Sequence, residues 1–99
     1  MSFIQIIEFH TKDTEDFQKI DELDRGWEKA TAGRSTVGRT IVTRDRNDPN
    51  HYVVVVHFDS YDAAMANSAL PETAALAETM NSIVERPMSF LDLDVVDDR

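Results

Sequence analysis

A possible metal-binding or proton-transferring group is encoded at the ends of two predicted strands. Glu8 and His10 are two positions apart in one strand and so share a face, and antiparallel pairing with a second strand could bring His51 near His10. Two neutral imidazoles and a carboxylate suit zinc or iron. The spacing does not fix the third distance, however, and histidines at strand ends are also common as surface residues.

Other features that would indicate a cofactor are lacking in the sequence. It contains no cysteine to supply a thiolate and no glycine-rich phosphate-binding loop, and its three histidines all fall in predicted strands. We therefore predict no metal and no cofactor. For His10 or His57 the alternatives are a role as general base or ligand contact and a purely structural role.

Four further side chains are candidates for contact with a small ligand. Arg39, within a predicted strand, could hold a carboxylate or phenolate, or form a salt bridge at a surface or dimer contact. Trp27 could stack on an aromatic ligand or fill the core, and the Tyr61 hydroxyl could bind a ligand oxygen or remain in water. Asn67 could contact a substrate or terminate a short helix.

The composition limits the choice of partner. The 99 residues carry 19 Asp and Glu against 10 Lys and Arg, for a net charge of -9 at pH 7. Nucleic acids and anionic membranes repel such an acidic protein. No apolar run approaches the ~20 residues of a membrane span, and the N-terminus lacks a signal-peptide pattern. We predict a single cytoplasmic domain, residues 1–99, that binds neither nucleic acid nor membrane.

The apolar pattern predicts seven elements that would position the candidate residues. Alternating segments indicate strands, and stripes with spacings of three and four indicate helices. The predicted strands cover residues 3–10, 35–44, 51–58 and 88–95, and the predicted helices cover residues 14–31, 60–68 and 71–84. This β-α-β-β-α-α-β order predicts a ferredoxin-like α+β fold, with a four-stranded antiparallel sheet, helices on one face, and the first and third strands in the centre.

Both central strands are apolar on their two faces. The first strand reads FIQIIEFH and the third reads HYVVVVHF. Helices cover only one face of such a sheet, and a face in water should be polar. We therefore predict a homodimer in which the second face, carrying either the Ile4 and Ile6 set or the Phe3 and Ile7 set, is buried against a twofold-related copy.

The order of elements, the two-faced central strands and the segment Phe58–Met80 (FDSYDAAMANSALPETAALAETM) resemble the dimeric α/β-barrel superfamily, and within it the group named for antibiotic biosynthesis monooxygenases. The resemblance extends over nearly the whole chain. It implies a homodimer with sheets packed face to face and, in each subunit, a mainly apolar cavity between sheet and helices. Members include oxygenases that act on phenols without metal or flavin, haem-degrading enzymes and small-acid isomerases, so the shared fold does not choose among them.

Departures from the active members narrow what the resemblance implies. Haem-degrading members carry a histidine and a tryptophan on the later helices, which here have neither, so haem degradation is not expected. Phenol-oxidising members use a later-helix tryptophan with an asparagine, and only Asn67 is available in that region. The resemblance implies a small-molecule-binding protein, either a cofactor-independent monooxygenase or an isomerase of a small aromatic or polyketide-like compound. The alternative is a non-catalytic stress or accessory dimerisation module.

The helix registers predict the walls of the cavity. The inward residues are Phe17, Ile20 and Trp27 of the first helix and Leu76, Met80 and Ile83 of the last. Large apolar walls of this kind favour flat apolar ligands. The predicted catalytic residues are His57, Arg39 and Asn67, and the predicted ligand-binding residues are Trp27, Tyr61, Leu76 and Met80.

Overall fold

A computed structural model describes residues 2–99 of the chain. Four strands and three helices follow one another in the predicted order. They are β1 (Phe3–His10), α1 (Asp16–Ala30), β2 (Arg39–Arg44), β3 (His51–Phe58), α2 (Tyr61–Ser68), α3 (Pro71–Ile83) and β4 (Ser89–Asp94). The ferredoxin-like prediction is confirmed.

The strands form one antiparallel sheet in the order β2-β3-β1-β4. β1, which is rich in isoleucine, and β3, which contains four consecutive valines, are therefore the central strands, as the apolar pattern predicted. β2 begins at Arg39 and is shorter than the predicted segment. Just before it, the Gly38 amide donates to the His57 carbonyl oxygen at 2.8 Å. A Cβ at Gly38 would lie 3.2 Å from that oxygen, so glycine permits the close approach of the two backbones.

Local sequence signals account for the ends of the helices. The Ser60 side chain caps α2 by accepting a hydrogen bond from the Ala63 amide at 3.1 Å. Pro71 starts α3, where its missing N–H costs no hydrogen bond. Gly33, two residues beyond the cap of α1, has a φ of 83°, which explains a glycine there. Within residues 2–99 no helix is long and apolar enough to cross a membrane.

Two small apolar cores hold the helices onto one face of the sheet. At one end Phe3, Val56 and Phe58 pack against Ala64 of α2. At the other end Phe9 and Tyr52 pack against α1 and the end of α3, and the rings of Phe17 and Tyr52 stack 4.6 Å apart. The middle of the sheet lies between these two cores, and among the described residues no further buried cluster fills the space above it.

Within residues 2–99 no helix covers the opposite face of the sheet, which is mostly apolar. The strand register places seven aliphatic residues there, namely Ile4, Ile6, Ile41, Val53, Val55, Leu91 and Leu93. Leu91 is 56% exposed and Leu93 is 40% exposed. The structure thus assigns the Ile4 and Ile6 set to the uncovered face, and Phe3 and Ile7 to the face beneath the helices.

Candidate functional site

A cavity of about 390 Å³ lies between the sheet and the helices. Its floor is the middle of the sheet, and α1, α2 and α3 supply the opposite wall. The lining residues are Gln5, Ile7, Phe9, Thr40, Val42, Val54, Val56, Phe58 and Phe90 of the strands, Phe17, Ile20, Asp21, Asp24, Trp27, Asn67, Ser68, Thr73, Ala74, Leu76, Ala77 and Met80 of the helices, and Val37 and Met88. This volume is within the range of small-molecule sites.

The cavity exists because the helices are held at the ends of the sheet and carry small residues above its centre. Ala74 and Ala77 of α3 face the cavity and leave it unfilled. The Trp27 indole N–H donates to the Thr73 hydroxyl oxygen at 2.9 Å, which ties α1 to α3. On the edge strands the lining residues Val42 and Phe90 are 47% and 52% exposed, so ligands can enter from solvent beside these strands.

The carboxyl group of Asp24 is the most unusual polar group in this cavity. Burial raises its pKa above the usual range, and the neighbouring carboxylates of Glu28 and Asp21 raise it further, against a smaller lowering by Arg25. No hydrogen bond formed within residues 2–99 ends on this carboxylate. Its proton affinity is therefore increased, and both of its oxygens are available to a ligand.

Asp21, one turn earlier on α1, has a different environment although it lines the same cavity. It accepts a hydrogen bond from the Arg25 side chain at 3.0 Å on the exposed side of the helix. Arg25 thus neutralises Asp21 and leaves Asp24 as the unpaired acid. The two carboxylates thus differ in their partners, and Asp24 is the one that faces the cavity without a cation bound to it among residues 2–99.

Asn67 supplies an amide to the same cavity from the end of α2. The residue is 7% exposed, and its Oδ1 accepts a hydrogen bond from the Ser35 hydroxyl at 3.3 Å. That hydroxyl also accepts from the Val37 amide at 3.2 Å. The segment before β2 therefore fixes the orientation of Asn67, as a group that positions a ligand requires.

Four of the residues predicted at the site line the cavity. Trp27 projects from α1, Asn67 from α2, and Leu76 and Met80 from α3. Helical spacing was sufficient to place these side chains, because the apolar stripes of α1 and α3 face each other across the cavity.

The other three predicted residues lie elsewhere. His57 and Arg39 pair with each other in the register, on the uncovered face of the sheet. Because successive residues of a strand point to opposite faces, both side chains are separated from the cavity by the sheet itself. Tyr61 is 52% exposed and its ring packs edge-on against Phe3 at 5.5 Å. The expectation that these three side chains reach the cavity does not fit the structure.

Asp24 was not among the predicted site residues, although its spacing in the sequence contained the signal. Asp24 is four residues after Ile20 and three before Trp27, so it interrupts the apolar stripe of α1 with a carboxylate. Gln5 was likewise on the covered face of β1, where its amide donates to Asp92 at 3.1 Å. A charged residue inside an otherwise apolar stripe is the sequence signal that could have identified Asp24.

The fold is that of the antibiotic biosynthesis monooxygenase-like proteins, as comparison with solved structures shows. SnoaB, a cofactor-independent oxygenase from Streptomyces nogalater, superposes with a TM-score of 0.78 at 13% identity, over 98% of this chain and 95% of that one. A structure described as an antibiotic biosynthesis monooxygenase gives a TM-score of 0.73 at 18% identity, over 98% of this chain and 100% of the other.

The same fold also occurs in proteins with no stated activity. A conserved protein from Methanosarcina mazei Go1 gives a TM-score of 0.79 at 6% identity, over 94% of this chain and 91% of that one. No family model matches the sequence, and no curated protein matches it. At these identities the comparisons establish the fold, and the function has to be argued from the site.

Proposed function

We propose that this protein binds a small, electron-rich aromatic or polyketide-like compound in the cavity and oxidises it with molecular oxygen, without a metal or flavin. The observation that carries the proposal is Asp24, an unpaired carboxylate with a raised pKa in an apolar cavity of about 390 Å³. The shared fold of SnoaB, a cofactor-independent oxygenase, supports it.

Asp24 is the general base in this proposal. Its carboxylate removes a proton from an activated CH₂ or C–H group beside the ring of the substrate, and the raised pKa makes it a stronger base than an exposed aspartate. The resulting carbanion, delocalised over the ring, transfers an electron to O₂, and the radical pair combines to a peroxide. Asp24 returns its proton to the peroxide, and loss of water leaves a carbonyl. The sum is R₂CH₂ + O₂ → R₂C=O + H₂O.

The remaining cavity groups orient the substrate and exclude water. The Trp27 N–H is already bound to Thr73, so the indole offers its face to an aromatic ring. The Asn67 amide, held by Ser35, is placed to bind a substrate oxygen on which negative charge develops. The apolar floor formed by the central strands keeps water away from the carbanion.

The charges of the cavity select for neutral substrates. Among the described lining residues the ionisable side chains are Asp21 and Asp24, and no lysine, arginine or histidine is present. A carboxylate substrate would therefore meet like charge without a counter-ion. This disfavours isomerisation of a small acid and favours a neutral anthrone or another phenolic compound with an activated CH₂ group beside the ring.

The proposed assembly is a homodimer formed through the uncovered sheet face. This surface is rich in isoleucine, valine and leucine, and an apolar patch of that kind in a small protein is ordinarily covered by a partner. A second copy supplies a matching surface without requiring another gene product.

Ligand binding and oxygen uptake test the proposal together. Neutral anthrones and other phenolic compounds with an activated CH₂ group are titrated against Trp27 fluorescence, and those that change it are then assayed with an oxygen electrode. We expect a subset to bind and to consume one O₂ per carbonyl formed. Replacing Trp27 with Phe should remove the fluorescence response while binding, measured by calorimetry, remains. A protein that binds none of them at millimolar concentration would instead be an accessory dimerisation module, and binding without oxygen uptake would leave an isomerase or a carrier.

A further inference from the structure

Three potential metal ligands converge on the sheet face opposite the cavity. Glu8 and His10 are alternate residues of β1, so both side chains project from that face, and the register sets His51 of β3 directly opposite His10. One ligand atom from each of the three residues lies within 4.8 Å of the other two. The strand register thus places His51 close to Glu8 and His10, which the spacing in the sequence could not establish.

His51 lies between two carboxylates. Its Nδ1 is 2.8 Å from Asp45 Oδ2, and its Nε2 is 2.8 Å from Glu8 Oε1. A neutral imidazole carries a proton on one nitrogen only, so the other nitrogen would direct its lone pair at a carboxylate. A metal ion between that nitrogen and the facing carboxylate would bind both groups.

Asp45 is anchored as an outer partner of such an ion. Its Oδ1 accepts a hydrogen bond from the Asn47 amide at 2.8 Å, and its own amide donates to the His51 carbonyl oxygen at 2.8 Å. With an ion between Nε2 and Glu8, Oδ2 would accept the proton on His51 Nδ1, and the lone pair of Nε2 would point at the ion. A carboxylate that orients a metal-binding histidine through its second nitrogen is a common outer-shell arrangement.

The ligands need only small movements to bind a tetrahedral ion. Zinc with bonds of 2.0–2.1 Å separates its ligand atoms by roughly 3.3 Å, so the contact between His51 Nε2 and Glu8 has to widen by about half an ångström. The His10 ring stacks on the His51 ring at 4.4 Å and must rotate about its side-chain bonds to point its lone pair at the ion. All three residues are half-buried, so their side chains have room to do so.

The backbone that carries the ligands is fastened on several sides. The Thr11 amide donates to the Asn50 carbonyl oxygen at 2.8 Å, and the Thr11 hydroxyl donates to Asn50 Oδ1 at 3.0 Å. The Glu85 amide donates to the His10 carbonyl oxygen at 2.8 Å. These hydrogen bonds hold the ends of β1 and β3 together. Folding therefore fixes the backbone positions of the three residues before an ion binds, and binding loses little further conformational entropy.

We propose that Glu8, His10 and His51 bind a zinc ion, with Asp45 as the outer partner of His51. Two imidazoles and a carboxylate are a known set of protein ligands for zinc, and the fourth position is left for water or for another ligand. The sheet separates this site from the cavity, so the ion takes no part in the proposed oxidation. The proposal reverses the expectation of a metal-free protein that the sequence alone supported.

Zinc titration of the untagged, chelator-treated full-length chain tests the proposal by calorimetry. We expect one zinc ion per chain for the wild type. His10→Ala and His51→Ala should each weaken binding by at least about 100-fold, and Asp45→Asn by about 10-fold to 100-fold, as for outer-shell partners elsewhere. His57→Ala is the matched control, because it removes a histidine from the same sheet face outside the cluster, and it should bind zinc as the wild type does.

Cobalt spectroscopy of the wild type guards against variants that do not fold. Co²⁺ in the proposed site should give the intense visible bands of four-coordinate cobalt, and zinc should displace it. Circular dichroism identifies any variant that does not fold, and Glu8→Gln then replaces that variant in the zinc titration. The proposal is overturned if the wild type binds no zinc at 100 µM, if the cobalt spectrum is that of the hydrated ion, or if folded His10→Ala and His51→Ala variants retain wild-type affinity.

Discussion

At the scale of single residues, the chemistry of the cavity depends on which carboxylates lack a partner. Asp21 and Asp24 are three positions apart on one helix and line the same space. Arg25 binds Asp21, and no group within residues 2–99 donates to Asp24, whose pKa is raised by burial and by neighbouring acids. One helix thus presents a carboxylate bound by arginine and a carboxylate of increased proton affinity, and the second is the proposed general base.

Replacing Asp24 with Asn tests this assignment directly. Asparagine keeps the shape of the side chain but cannot accept the substrate proton, so the rate of oxygen uptake should fall by roughly 10²-fold to 10⁴-fold. Ligand affinity, followed by Trp27 fluorescence, should change much less. Asp21→Asn is the matched control, and we expect it to retain most of the activity. Equal losses in both variants would show that the charge of the cavity matters and that no single base does.

The same carboxyl group should make stability depend on pH. Because burial raises the folded-state pKa of Asp24, the unfolded chain loses this proton at a lower pH than the folded chain does. The folded state is therefore favoured below the unfolded-state pKa, and this contribution is lost as pH rises through the folded-state pKa. Asp24→Asn should accordingly raise the Tm at neutral pH and have little effect at pH 3. A Tm that fell at neutral pH would show that the carboxylate has a stabilising partner.

Some site residues could be placed from the sequence and others could not. Trp27, Leu76 and Met80 could be placed at the cavity because helical spacing alone fixes their direction. His57 could not, because a strand with valines on both faces gives no indication of which face the helices cover. The three residues of the proposed zinc site could be recognised by their types, and only the pairing of His10 with His51 brings them together.

At the scale of elements, the order and position of all seven segments could be predicted from the apolar pattern, whereas several of their ends could not. The strand predicted from residue 35 begins at Arg39, because Gly38 is the point at which the chain joins β3. The predicted start of α1 at residue 14 is also early, since an Asp13 oxygen accepts from the Glu15 amide at 3.1 Å and so forms a turn before the helix begins at Asp16.

Two glycines of α1 and its C-terminal turn should respond oppositely to the same substitution. Gly26 is inside the helix, with no atom within 4 Å of a Cβ built there, so Gly26→Ala should stabilise the protein by about 0.5–1 kcal/mol. Gly33 has a φ of 83°, so Gly33→Ala should destabilise it by about 1–2 kcal/mol. Urea denaturation measures both free energies of unfolding. If Gly26→Ala were destabilising, α1 would pack more closely against its surroundings than the structure shows.

At the scale of the whole molecule, the two faces of the sheet carry different features. The covered face forms the cavity, which the small cores at either end keep open. The uncovered face carries the aliphatic surface proposed for dimerisation and, at one end, the cluster of Glu8, His10 and His51. Central strands that are apolar on both faces predicted a covered and an uncovered apolar surface. The sequence could not assign the two alternating sets of strand residues to these surfaces, because the helices could have packed on either side.

A charge on the uncovered face should separate the proposed dimer into monomers. Leu91 is 56% exposed in the single chain and lies in the aliphatic surface, opposite Ile6. In a dimer formed through this face, Leu91→Asp buries a carboxylate without a counter-ion, which costs several kcal/mol and is counted twice in a twofold assembly. Light scattering after gel filtration should therefore give twice the chain mass for the wild type and the single-chain mass for Leu91→Asp.

Val42→Asp is the matched control, because Val42 is 47% exposed on an edge strand but faces the cavity side. It should remain dimeric, and a wild type that is monomeric at micromolar concentration would remove the basis for the dimer.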